Sequence, residues 1–267
     1  MSESPVVDPA AAEALPFVAP CRRLAVGAPL RWLRLGWADM RAAPLPSLAF
    51  GLAILALSLT VTGVAYRFGT GWLVIVLLSS FIFVAPVLAI GLYAISASLE
   101  RGRRPSFGRC LAVTRARLGD MLLYSLILMV ISLVWVRAGS AVEIFFPTGD
   151  GADFVAVATF FAIGTAVGTL FSIATFAASA FSLPMLVDRH CDAVTGVVTS
   201  VNAVLRNKPA MLVWATLIVL SVAVGFATGL LGLAVTMPLI GHATWHAYRE
   251  TIDAAAWPVH PDPTPPA

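Results

Sequence analysis

The chain has 267 residues, 59% of them apolar or aromatic and 12% charged, against about a quarter charged in an ordinary soluble domain. With a mean hydropathy of +0.90, this excludes a typical soluble enzyme and a disordered chain. The net charge of +3 is too small to build a phosphate-gripping face, which excludes a nucleic-acid binder.

Residues 1–28 read as a flexible tail. Glu3, Asp8 and Glu13 precede any Arg or Lys, and Pro5, Pro9, Pro16 and Pro20 interrupt any apolar run, so no secretory signal is expected there. A membrane domain is expected over 29–252. It opens on an amphipathic helix with Trp32, Leu33, Trp37 and Met40 on one face and Arg31, Arg34 and Arg41 on the other, suited to the headgroup layer. Charge-free gaps then place the spans, because about 20 apolar residues cross about 30 Å of hydrocarbon. They predict crossings at about 48–66, 72–95, 121–137 and 155–187. A second short helix, capped by Ser106, lies between the second and third spans. A third, capped by Asp192, carries Val194, Val197, Val198, Val201 and Val204 at helical spacing. The gap from Pro209 to Tyr248 is too long for one crossing, and Gly225, Gly229 and Gly232 permit a reversal. Two short spans are therefore expected, at about 210–227 and 230–247. Residues 253–267, with Pro258, Pro261, Pro263, Pro265 and Pro266, read as a Pro-rich disordered tail.

The expected fold is an all-α polytopic membrane protein. Its six transmembrane helices form three hairpins, each preceded by a short cytoplasmic interfacial amphipathic helix. With both termini cytoplasmic, all 17 Lys and Arg except Arg67 and Arg137 fall on the inner side, as the positive-inside rule asks. Cys21, Cys110 and Cys191 share that side and form no CxxC, which argues against disulfides. Pro86, Pro184 and Pro238 recur near the inner ends of the even-numbered spans as structural residues that kink each helix. Gly164 and Gly168, continued by Ala174, Ala178 and Ser182, form a small-residue line for close helix packing.

Chemistry has few places to sit. No Asp, Glu, Lys or Arg falls mid-span, which counts against an ion-coupled carrier. Phosphate-binding, hydrolase and metalloprotease motifs are lacking in the sequence. Span-four hydroxyls such as Thr159, Thr165, Thr169 and Ser172 have no histidine beside them and are expected to bond back to carbonyls. The strongest polar run is Gly241 to Arg249, in which His242 and His246 stand four apart on a helix. With His190 and Cys191 from the run Asp188 to Asp192, they are candidate ligands for a transition metal or haem. The competing reading makes them interface residues. In that reading Asp188 and Arg189 pair with Arg249 or Glu250 and lock the inner ends of spans four and six.

The stretches Pro29 to Arg41, Gly91-Leu92-Tyr93, Leu183 to Arg189 and Gly241 to Arg249 resemble an uncharacterised bacterial integral-membrane family, domain of unknown function 2189. The resemblance covers roughly 29–251, and the Gly241 to Arg249 stretch is its most specific part. It implies a polytopic inner-membrane protein of a Gram-negative bacterium. It implies no activity and supplies no catalytic residues. The expected function is thus a non-enzymatic scaffold, assembly or stress-related component without a cofactor. Its expected partners are the lipid bilayer, anionic headgroups on the cytoplasmic side, and a membrane-protein partner or a second copy. The alternatives are a small-solute or lipid transporter, and a metal- or haem-binding redox protein using His242 and His246.

Overall fold

The structure is a computed structural model that describes residues 16–68, 71–145 and 154–260. It folds into α1 (Ala28–Ala42), α2 (Pro44–Phe68), α3 (Gly71–Glu100), α4 (Phe107–Ala116), α5 (Leu118–Phe145), α6 (Phe154–Ser179), α7 (Ser182–Asp188), α8 (Ala193–Arg206), α9 (Lys208–Ala227) and α10 (Leu233–Thr251). Local chemistry sets several boundaries. Ser106 accepts from Arg109 N at 3.3 Å and starts α4, and Asp192 accepts from Thr195 N at 2.9 Å and starts α8, each filling an orphan donor of the first turn. Pro29 and Pro209 sit at helix starts, where the missing N–H costs nothing. Between α9 and α10 the chain reverses through Gly229 and Leu230, both at positive φ (63° and 73°).

Four segments are long and apolar enough to cross a membrane: Pro44–Phe68, Leu118–Val142, Phe154–Asp188 and Lys208–Ala227. The six expected spans map onto α2, α3, α5, α6, α9 and α10, but neither α3, of which Val84–Glu100 counts as a shorter apolar helix, nor α10 is among those four segments of the described residues. α10 begins beside the second turn of α2, where Gly51 meets the Ala234 carbonyl. The fourth expected span is also divided. α6 ends at Ser179, and Pro184 falls inside the separate short helix α7. Pro86 and Pro238 lie inside α3 and α10.

The core gathers at one end of the bundle. Trp32, Trp214, Trp245, Tyr248, Phe181, Met185 and Met211 are fully buried there, and Trp32 meets Trp214 edge to face at 5.5 Å, a favoured aromatic geometry. Toward the other end the helices present Leu59, Tyr66, Val134, Phe161, Val219 and Phe226 outward. Apolar side chains turned outward along the spans suit contact with hydrocarbon, where helices gain nothing by hiding them. Close helix approach uses glycines other than those expected. A Cβ on Gly36 would stand 2.7 Å from Ala243 N, and one on Gly241 would stand 2.6 Å from Leu92 Cδ1. Gly164 and Gly168 have nothing within 4 Å of that position, whereas Ala178 and Ser182 further along the same line are buried.

Both segments read as tails are partly built into this core. Arg22 N donates to Thr251 O and Asp253 N to Pro20 O, each at 2.8 Å. His190 N donates to Pro258 O at 2.9 Å, and His260 N to Asp188 O at 3.1 Å. Ala19, Cys21, Ile252 and Trp257 are buried. Proline-rich composition predicted a loose end, but two apolar anchors and paired backbone groups hold 253–260 as an extended strap. The remainder of each expected tail lies outside the described residues.

Candidate functional site

The polar side chains of α10 fan out around its last turns and are taken by α1, α2, α3 and α7. His242 is fully buried; its Nε2 lies 2.9 Å from Ser47 Oγ on α2 and its Nδ1 2.8 Å from Ser96 Oγ on α3. One turn on, His246 Nε2 lies 2.8 Å from Asp39 Oδ2 on α1. Trp245 Nε1 and Arg249 Nε both donate to Glu100, the last residue of α3, at 3.0 Å. Glu250 accepts from Trp32 Nε1 at 2.8 Å and is paired with Arg31.

Asp188, at the end of α7, is the second centre of this layer and is 5% exposed. It accepts from Tyr248 OH and Arg189 Nε, each at 2.9 Å, and from Arg249 at 3.4 Å, with Arg101 at 3.6 Å. Burial, and then the adjacent carboxylate, push the Tyr248 phenol far above its usual range, so it stays a donor. Burial works against the charge of Arg249, but Glu100 and Asp188 outweigh it and raise the pKa. Arg189 also donates to Trp257 O at 2.9 Å, tying the strap to α7. The Glu250 partners are thus Arg31 and Trp32 on α1, whereas Arg249 bridges Asp188 and Glu100.

The four candidate metal ligands are not brought together. His242 and His246 are each engaged by their own neighbours, and His190 instead faces His260, with His260 Nδ1 2.9 Å from His190 Nε2. Burial first, then Asp192, Asp120 and Asp188, push the Cys191 thiol up to about 12, which leaves it protonated and a poor ligand or nucleophile. Among the described residues there is no group of three or more His, Cys, Asp or Glu side chains placed to hold a metal ion. His260 is lowered to about 4 by burial, then by Arg117 and His190, with the Leu186 and Arg189 carbonyls acting the other way. Beside this pair lies an open cleft of ≈ 480 Å³ lined by Asp120, Cys191, Asp192, Thr195 and Trp257.

A polar layer at one end of a bundle with outward apolar spans describes an integral membrane protein, and comparison with known proteins agrees. Residues 73–188 match the family model described as predicted integral membrane protein (DUF2189). That match runs from α3 through α7; the α10 hub and the first two helices lie outside it, so it is narrower than the resemblance over 29–251. No curated protein and no solved structure matches the chain. The chain is a multi-pass integral membrane protein with an all-helical fold among the described residues.

Sequence reasoning missed the partners Asp39, Ser47, Ser96, Glu100 and His260. Asp39 and Glu100 carried a readable signal, since each is an acid at the edge of a basic, apolar stretch. Ser47 and Ser96 carried none, because nothing in a lone serine announces a buried imidazole across the bundle.

Proposed function

We propose that this protein is a six-span scaffold, assembly or stress-related component of a bacterial inner membrane, with both termini cytoplasmic, and that it works without catalysis or cofactor. The α10 hub carries this reading. A catalytic acid, base or ligand needs a lone pair or proton facing room for a substrate. Here both nitrogens of His242 are bonded to serines, His246 Nε2 is held by Asp39, and Asp188 is shared by Tyr248 and arginines. The polar groups therefore join α1, α2, α3, α7 and α10 into one rigid plate.

Contacts between successive long helices, α2 with α3, α5 with α6 and α9 with α10, each pair preceded by a short helix, support three hairpins. Exposed Leu30, Leu35 and Trp37 on α1, interleaved with Arg34 and Arg41, support an interfacial helix resting on anionic headgroups. Single-cysteine labelling in a background lacking Cys21, Cys110 and Cys191 tests the topology. An impermeant maleimide should label Tyr66→Cys and Thr228→Cys from outside, and Ala255→Cys only after permeabilisation. Outside labelling at Ala255→Cys would remove the sixth span and the cytoplasmic C-terminus together.

The clefts on either side of α6 favour a lipid-handling bundle as a second reading. One, of ≈ 420 Å³, is lined by Ser132, Trp135, Ser172, Thr175 and Ser179, and the other, of ≈ 480 Å³, by Thr165, Thr169 and Ile218. The scaffold reading expects fluorescent phospholipid to cross reconstituted vesicles at the protein-free rate; protein-dependent crossing would put the second reading first.

A further inference from the structure

Between the end of α3, α4, α7 and the strap lies a small cavity of ≈ 30 Å³, lined by Ser98, Arg101, Arg109, Arg117, Asp188 and His260. That volume holds about two waters, or one compact tetrahedral oxyanion. Two nitrogens at its wall are buried without a hydrogen-bond partner among the described residues, Arg117 Nε and His260 Nε2, and His260 itself is only 8% exposed. A buried donor left unpaired is costly; Arg117 Nε is one, and His260 Nε2 is another in the tautomer whose Nδ1 accepts from His190. The one acid in the wall, Asp188, is already committed to Tyr248, Arg189, Arg249 and Arg101. Neither Arg109 nor Arg117 forms an ion pair among the described residues, and the nearest acid to act on Arg117 is Asp120. The wall thus presents excess positive charge and unsatisfied N–H groups, and guanidinium suits phosphate oxygens in number and geometry.

We propose that this cavity is a phosphate-binding site, in which Arg109, Arg117 and His260 Nε2 grip one phosphate group. Two sources offer that chemistry at a membrane surface, the headgroup phosphate of an anionic phospholipid and free inorganic phosphate. The lipid source rests on the membrane orientation proposed above; the free oxyanion does not. The site joins α4 to the 253–260 strap, so occupancy would clamp the strap to α4. An anion beside His260 also offsets the effect of Arg117, which favours the charged imidazole.

The test uses the full chain in mild detergent with chloride as the only other anion. Inorganic phosphate is titrated while the unfolding midpoint and the one-to-one adduct in native mass spectrometry are followed. The same chain is then placed in nanodiscs of phosphatidylglycerol or of phosphatidylcholine. Saturable phosphate binding that weakens at least tenfold in Arg117→Gln and Arg109→Gln, but not in Arg34→Gln, supports the site and assigns a free oxyanion. A retained phosphatidylglycerol adduct, lost in the same two variants without a phosphate response, supports it and assigns the lipid. Weaker phosphate binding in His260→Gln, with the helical content of the chain retained, separates gripping from folding. Binding equally strong in both arginine variants, or no adduct of either kind, overturns the proposal and leaves the cavity to water. Alkaline extraction of the chain from native membranes would be a different failure, that of the membrane reading.

Discussion

Ser47 has a single hydroxyl proton, and that proton goes to the Ala43 carbonyl at 2.7 Å. Ser47 therefore accepts from Nε2–H of His242, which leaves Nδ1 of the neutral ring as acceptor for the Ser96 hydroxyl. Both nitrogens are used, and no lone pair is left for a metal. The imidazole acts as a polar rivet between α2, α3 and α10 in a place where an unpaired hydroxyl is expensive. Replacing His242 by Ala removes two bonds and opens a hole, at an expected cost of about 2–4 kcal/mol. Ser96→Ala removes one bond and leaves one nitrogen unpaired, at about 1–3 kcal/mol. Unfolding in mixed micelles with increasing denaturing detergent measures both. If His242→Ala proved as stable as the parent, the rivet would be an accident of placement.

Among the elements, closeness of approach is decided by glycines whose roles the sequence pattern ranked in the wrong order. Gly164 and Gly168 stood out because they are four apart on an apolar helix, yet neither meets a neighbour. Gly36 lies in an arginine-rich amphipathic helix and drew no notice, although its missing side chain lets α1 lie against the backbone of α10 at Leu239 and Ala243. Spacing along one helix reports which residues share a face; it does not report which face has a partner. The same limit explains α10. Its glycine turn and helical boundaries were legible from Gly225, Gly229 and Gly232, whereas its register against α2 was not. Capping by Ser106 and Asp192 was legible because it is local chemistry. Expected outcomes follow the geometry: Gly36→Ala forces α1 from α10 and costs about 1–3 kcal/mol. Gly164→Ala meets open space and loses nothing, gaining up to about 1 kcal/mol in helix propensity. The two variants, compared by the same unfolding titration, should move in different directions.

At the scale of the whole molecule, residues 20–22 and 251–260 close the structure. The strap over 253–260 lies along α7 through His190, Asp188 and Arg189, and residues 20–22 pair with 251–253. Closing the fold therefore requires the 253–260 strap, which directly follows α10. The strap also gives the molecule a pH dependence whose sign can be worked out. His260 has a pKa of about 4 in the folded chain, against 6.5 ordinarily, so the folded state binds fewer protons than the open one between those values. Stability of the strap is then full above about pH 6.5, falls as pH drops toward 4, and is flat below. The groups facing the imidazole are Arg117 at the end of α4 and His190 beyond α7, both of which oppose a second positive charge. In detergent and phosphate-free buffer, limited proteolysis should clip the C-terminal segment increasingly between pH 6.5 and 4.5, and Trp257 fluorescence should shift as its burial is lost. His260→Gln should flatten the response. Cleavage independent of pH in the parent chain would mean that Trp257 and the two backbone pairs hold the strap alone, and that the imidazole pair contributes nothing to closing the fold.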